Sequence, residues 1–167
     1  MEYRRTEPEK LSGNTFKMIG SDWMLVTAEA DGKVNTMTAS WGGLGVLWGR
    51  PVAYIFIRPQ RYTYEFTEAS DRLTLTFFGG REREALKLCG TLSGRDCDKI
   101  AKAGLVPVSF GDGFTSFEGA EAVLCCKKIY TDLIKPECML DKSIDANYAK
   151  GDYHRMYVVV ITDVYTK

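Results

Sequence analysis

The chain has 167 residues, with hydrophobic residues at 45% and charged residues at 26%. That size and balance describe one globular domain, residues 1–167, rather than a disordered chain. Lys plus Arg and Asp plus Glu stand at 22 each, so no net positive field gathers nucleic acid or an anionic membrane, although a local basic cluster can still hold a phosphate.

No apolar run approaches the ~20 residues that span a bilayer. The start, M-E-Y-R-R-T-E-P-E-K, lacks the apolar stretch of a signal peptide, and the cytoplasm is the expected compartment. Trp23 to Ala28 alternates weakly and reads as a strand, turned back at Asp31-Gly32 through a type I′ hairpin. Asn35 to Trp41, N-T-M-T-A-S-W, follows as the next strand. At the two-residue period Thr36, Thr38 and Ser40 fall on one side, and Asn35, Met37, Ala39 and Trp41 on the other. A row of hydroxyls backed by an amide and an indole suits a flat, polar-edged ligand with a phosphate tail. A half-exposed strand using threonine for its β propensity gives the same pattern. Gly42-Gly43-Leu44-Gly45 reads as a flexible turn, since it is neither a dinucleotide fingerprint nor a P-loop.

Val52 to Ile57 and Leu73 to Phe78 are rich in branched and aromatic residues and read as strands. Helices are expected at Tyr62 to Ala69, just after Pro59, at Arg81 to Cys89, and at Arg95 to Ala103, which Gly104 would close. Val106 to Gly119 reads as a long loop, of the kind that is functional or mobile. Ala122 to Tyr130 and Tyr157 to Val164 are the last strands. The final one is apolar almost without a break, which places it in a barrel wall or beneath a partner subunit. The whole is mainly β with short helices. The lack of regular strand–helix alternation, together with the missing G-x-G-x-x-G, argues against a Rossmann site.

Five cysteines include no C-x-x-C pair, and Cys125 and Cys126 point to opposite faces of one strand. Cys89, Cys97, Cys125 and Cys126 read as small buried hydrophobes. A single histidine rules out a multi-histidine metal centre, and no metal site is expected.

Arg58, Arg61 and Thr63 cluster around Pro59 at the entry to a short helix. Guanidinium forks and free backbone N–H groups there suit a phosphate, with Ser40 or Thr38 completing the cradle. Two solvated surface arginines are the plainer reading. Trp41 either walls a ring by stacking or belongs to the core. His154, in G-D-Y-H, can relay a proton, contact a ligand or simply bond a backbone carbonyl.

N-T-M-T-A-S-W, R-P-V at Arg50 to Val52, I-R-P-Q-R-Y-T at Ile57 to Thr63, S-G-R-D-C-D-K at Ser93 to Lys99 and G-D-Y-H at Gly151 to His154 occur in this order. Together they make the chain resemble the flavin reductase-like FMN-binding family, which includes flavoredoxin, from about Ile19 to Val164. The resemblance implies a split β-barrel that forms a homodimer and holds FMN near the subunit interface. It moves Asn35, Thr36, Met37, Thr38, Ala39, Ser40 and Trp41 toward the flavin, with Ser93 and Lys99 added to the site. It implies hydride transfer from NADH or NADPH to the flavin and electron transfer onward. The alternatives are an electron carrier reduced by a redox protein partner, and a non-redox binding barrel in which the blocks are coincidental. Many relatives carry a glycine-glutamate step in the last strand where this chain has Val159-Val160-Ile161, which leaves the nicotinamide side open.

Overall fold

The computed structural model describes residues 2–111 and 113–167. Strand β1 (Arg4–Thr6) is followed by the hairpin of β2 (Met24–Ala30) and β3 (Lys33–Ala39). Asp31 and Gly32 have φ of 50° and 71°, the paired left-handed conformations of a type I′ turn, as the Asp-Gly step predicts. A second hairpin joins β4 (Gly42–Leu47) to β5 (Arg50–Ile57). Its turn residues Trp48 and Gly49 also have positive φ, at 52° and 67°.

The glycine run expected as a turn is therefore strand β4, and its register explains the glycines. A Cβ on Gly42 would lie 2.6 Å from the Tyr54 carbonyl oxygen, and Cβ atoms on Gly43 and Gly45 would touch the Tyr54 ring at 3.6 and 3.7 Å. Glycine here marks a close approach between neighbouring strands.

Helix α1 (Tyr62–Ala69) has the expected bounds, and β6 (Arg72–Phe77) follows. Helix α2 (Arg83–Thr91) starts and ends slightly later than the sequence suggests. Helix α3 spans only Lys99–Lys102, because Asp98 caps it by accepting a hydrogen bond from the Ala101 N–H at 3.0 Å. Arg95, placed by the sequence on this helix, instead turns outward to Glu65 and to the Gln60 carbonyl.

The expected long loop contains a small hairpin, β7 (Pro107–Ser109) and β8 (Thr115–Phe117); Asp112 lies outside the described residues. Hydroxyls of β6 stitch it down: Thr74 donates to the Thr115 carbonyl at 2.5 Å, and Thr76 pairs with Ser116 at 2.7 Å. Strands β9 (Ala122–Leu133) and β10 (Arg155–Thr166) complete the fold.

The main sheet runs β3-β2-β6-β9-β10-β5-β4, with β1 added beside β10. Its pairings are antiparallel. Strands β3 and β4 stand at opposite ends of this path, yet only Ser40 and Trp41 separate them in the chain. The sheet must therefore curl until its two edges meet at that corner, and the result is a split β-barrel. Inward residues of six strands, among them Val26, Met37, Ile55, Leu75, Leu124 and Tyr157, form one core that Phe66 of α1 joins. A second cluster packs Leu86 and Cys89 of α2 on the outer face, against Leu25, Val123 and Phe117. Each fully buried aliphatic or aromatic side chain contributes roughly 1.5–3 kcal/mol. The last strand places Tyr157 and Val159 in the barrel core, while on its other face Val158 is 2% exposed and Met156, Val160 and Thr162 are half-buried, so the expected burial on both faces is met only in part. Among the described residues, no helix is long and apolar enough to cross a membrane.

Candidate functional site

A cleft of about 190 Å³ opens where the barrel edges meet. The end of β3 and the corner supply Met37 through Trp41, β5 leads to Phe56 and Arg58, Arg61 precedes α1, and His154 precedes β10. Eight of the residues singled out from the sequence thus come together here.

Asn35, Thr36 and Thr63 do not line it. Thr36 is fully buried, its hydroxyl 2.8 Å from that of Thr27 and donating to the Val26 carbonyl at 3.2 Å. Thr63 is also fully buried and accepts the Asn35 amide at 2.8 Å. The sequence pattern supposes a half-exposed strand, whereas β3 is covered on one face by α2 and on the other by the barrel core and α1. Thr38 shows the consequence: it borders the cleft, but its hydroxyl donates to the Leu86 carbonyl of α2 at 2.5 Å.

Behind this wall, two cations converge on the C-terminal end of α2. Arg61 donates to the Cys89 carbonyl at 3.0 Å, and Lys99 donates to the Cys89 and Leu92 carbonyls at 3.3 and 3.2 Å. Unpaired carbonyls and the negative end of the helix dipole account for the attraction. Burial, and then the Arg61 charge, push the Lys99 ammonium down to about 8; burial also lowers Arg61. Among the described residues neither cation has a carboxylate within ion-pair distance. Lys99 is only 2% exposed and borders a separate hollow of about 450 Å³ with Asn35. Ser93 accepts the Arg95 N–H at 3.2 Å. The structure does not bring either of these two predicted residues into the cleft.

The opposite wall is built on the connection between β9 and β10. Arg58 forms an ion pair with Asp152 at 2.5 Å, donates to the Asn147 carbonyl at 3.0 Å and lies 5.0 Å over the Tyr148 ring. His154 is buried, its Nδ1 lying 2.9 Å from the Tyr148 hydroxyl. Its ring centroid stands 5.2 Å from that of Trp41 and 6.5 Å from that of Phe56. Burial, and then the Arg58 charge, lower its pKa to about 4, so the imidazole is neutral at pH 7. Trp41 is 47% exposed, a wall of the cleft rather than a core residue.

The sequence reading missed Phe56, Tyr148 and Asp152. Phe56 was within reach, because it lies on the expected strand two residues before Arg58, where the two-residue period carried one step past the strand end puts both on one side. Tyr148 lies in a short 3-10 segment, Lys142–Tyr148, with no periodicity to mark it. The completed cleft joins a partly buried guanidinium with no carboxylate partner among the described residues, a neutral imidazole and a half-exposed indole. That combination suits an anionic group attached to a flat ring.

A profile of the flavin reductase like domain matches residues 16–167. No curated protein matches the chain. Among solved structures, the FMN-binding domain of a flavin reductases-like enzyme from Shewanella baltica is 18% identical at a TM-score of 0.70, covering 99% of this chain and 77% of that one. Flavoredoxin from Methanosarcina acetivorans is 20% identical at 0.67, covering 87% and 68%. The styrene monooxygenase flavin reductase from Pseudomonas putida is 14% identical at 0.64, covering 87% and 78%. At these identities the likeness speaks for the fold. The profile spans nearly the whole chain, and with the ordered sequence blocks it places this chain in the flavin reductase-like domain family.

Proposed function

We propose that the protein binds FMN in this cleft and works as an NAD(P)H-dependent flavin oxidoreductase. The observation that carries the reading is Arg61, a partly buried guanidinium in the cleft wall with no carboxylate partner among the described residues. A partly desolvated cation held only by a carbonyl carries a cost, and a phosphate beside it offsets that cost. The remaining walls fit the rest of an FMN. Trp41 and Phe56 offer apolar faces to a flat ring. Among the described residues strand β3 pairs with β2 alone and so keeps one row of backbone N–H and C=O groups for a ring edge.

Bound FMN supplies the hydride- and electron-accepting chemistry, with NADH or NADPH as the transient donor. The chain's own part is to hold the phosphate through Arg61, to orient the ring against β3, and to exclude water with Trp41 and Phe56. His154, neutral at pH 7, serves as a hydrogen-bond donor to the ring and not as a store of protons.

The cleft volume of about 190 Å³ lies below the ~300–1,000 Å³ of typical ligand sites. A second copy of the chain supplies the missing wall in this reading. The open edge of β4 supports it, with Val46 and nearby Trp48 at 73% and 61% exposure. Five free cysteines suit a reducing compartment such as the cytoplasm.

The test is a titration of purified protein with FMN, followed by anaerobic addition of NADH and NADPH. Binding followed by bleaching of the flavin band is the expected result. Failure to bind FMN would sink the proposal, and flavin that binds but stays oxidised would move it to a carrier reduced by a protein partner.

A further inference from the structure

His154 is held by one hydrogen bond that decides what its ring can offer. The Tyr148 hydroxyl lies 2.9 Å from Nδ1, and the two side chains are 5% and 7% exposed. Tyr148 is itself clamped. Tyr153 stacks on it with centroids 4.7 Å apart at 29°, and the Arg58 guanidinium lies 5.0 Å over its ring. Those two neighbours are fixed in turn, Arg58 by Asp152 at 2.5 Å and Tyr153 by Asp145 at 2.7 Å. The aim of the Tyr148 hydroxyl is therefore set by two neighbours of its ring that are themselves held in place.

Among the described residues, the Tyr148 hydroxyl has no other hydrogen-bond partner than Nδ1. If Nδ1 carried the proton, the tyrosine O–H would be buried without an acceptor, which costs more than the bond gains. Tyr148 as donor satisfies both groups and leaves the ring proton of the neutral imidazole on Nε2. Among the described residues no protein group pairs with Nε2, and no fully buried side-chain nitrogen or oxygen lacks a partner. Nε2 is therefore open to the cleft that His154 lines.

We propose that Tyr148 is the positioning residue of the cleft, its hydroxyl holding His154 as an Nε2–H donor to an acceptor atom on the edge of the bound ring. The bound ring rests on the flavin reading above; the tautomer does not.

The chain has a single histidine, so a long-range proton–nitrogen NMR spectrum of histidine-labelled protein reports the tautomer without ambiguity. Recorded on the flavin-free protein at neutral pH, it should show a protonated Nε2 and a bare Nδ1. Tyr148→Phe keeps the ring, the Arg58 contact and the Tyr153 stack, and should let the two tautomers mix. It should also weaken FMN and riboflavin alike by about three- to tenfold, the worth of one hydrogen bond at the ring. A wild-type proton on Nδ1, or an unchanged spectrum in folded Tyr148→Phe, overturns the assignment. If the variant fails to fold, the wild-type spectrum still decides. Failure of the wild type to bind FMN would strike the flavin reading alone, and intact flavin affinity in Tyr148→Phe would remove Nε2 from the ring contact.

Discussion

Arg58 and Arg61 flank the Pro59-Gln60 turn and line the same cleft, yet the protein treats their charges in opposite ways. Arg58 is matched by Asp152, by the Asn147 carbonyl and by the face of Tyr148. Arg61 has the Cys89 carbonyl, which it shares with the Lys99 ammonium. An anion arriving at Arg58 must compete with a carboxylate already in place. An anion arriving at Arg61 meets a partly desolvated charge next to a second one, where its field is less screened than in open water. Equal surface chemistry in the sequence becomes unequal demand for a ligand in the fold.

The sharpest way to break this comparison is to remove each arginine in turn. Arg61→Ala should weaken FMN by about ten- to a hundredfold, the worth of a desolvated charge-assisted contact, and riboflavin far less. Arg58→Ala should weaken FMN by less than about tenfold. Its main cost is stability, because Asp152 loses its cation. Fluorescence titrations of both flavins, with urea unfolding of both variants, separate the effects. If Arg58→Ala shows the large phosphate-dependent loss and Arg61→Ala does not, the assignment of the two walls is reversed.

That outcome turns on tertiary facts the sequence reading could not hold. Runs of branched, aromatic and apolar residues made β5, β6, β9 and β10 legible, and the backbone preference of Asp31-Gly32 alone marked the first hairpin. Strand β4 was hidden because glycines carry no side-chain pattern; what defines it is the Tyr54 strand lying against it. The β7–β8 hairpin was hidden because its anchors are hydroxyls donated from a distant strand. In the site, Met37 to Trp41, Arg58, Arg61 and His154 gathered because a strand end, a helix entry and a strand start meet at one barrel edge. Asn35, Thr36 and Thr63 fell away because α1 and α2 cover both faces of β3. No periodicity reports such cover. Lys99 was placed by its motif, but its ammonium points to the α2 carbonyls.

The His154 wall can be tested by pH without any ligand. Its folded pKa of about 4 lies below the ordinary value of 6.5, so the unfolded chain binds the extra proton between those values. Stability from this group is present above about pH 6.5 and is lost as pH falls toward 4. His154→Asn keeps an acceptor for Tyr148 and does not titrate. Urea unfolding at pH 7 and pH 4.5 should show the wild type losing up to about 2 kcal/mol more than the variant. Parallel losses in the two proteins would mean that His154 is not held neutral by its burial.

The smallest expected effect bears most directly on the contrast between the arginines. If Arg58 differs from Arg61 chiefly because Asp152 neutralises it, then Asp152→Asn should make the two alike. The asparagine keeps the size of the side chain and an oxygen for Arg58 and Gln60 to donate to, so the guanidinium stays in place while its charge is released to the cleft. FMN should then bind about threefold more tightly, within the range measured for partly exposed ion pairs, and riboflavin should be unchanged. The gain should shrink as salt is raised, because Arg58 is partly open to solvent and ions screen it over about 10 Å at 0.1 M. The same gain for both flavins would point to a change in the ring site through Tyr148 and His154. A loss for FMN would mean that Asp152 does not compete with the phosphate but holds the wall that the phosphate needs.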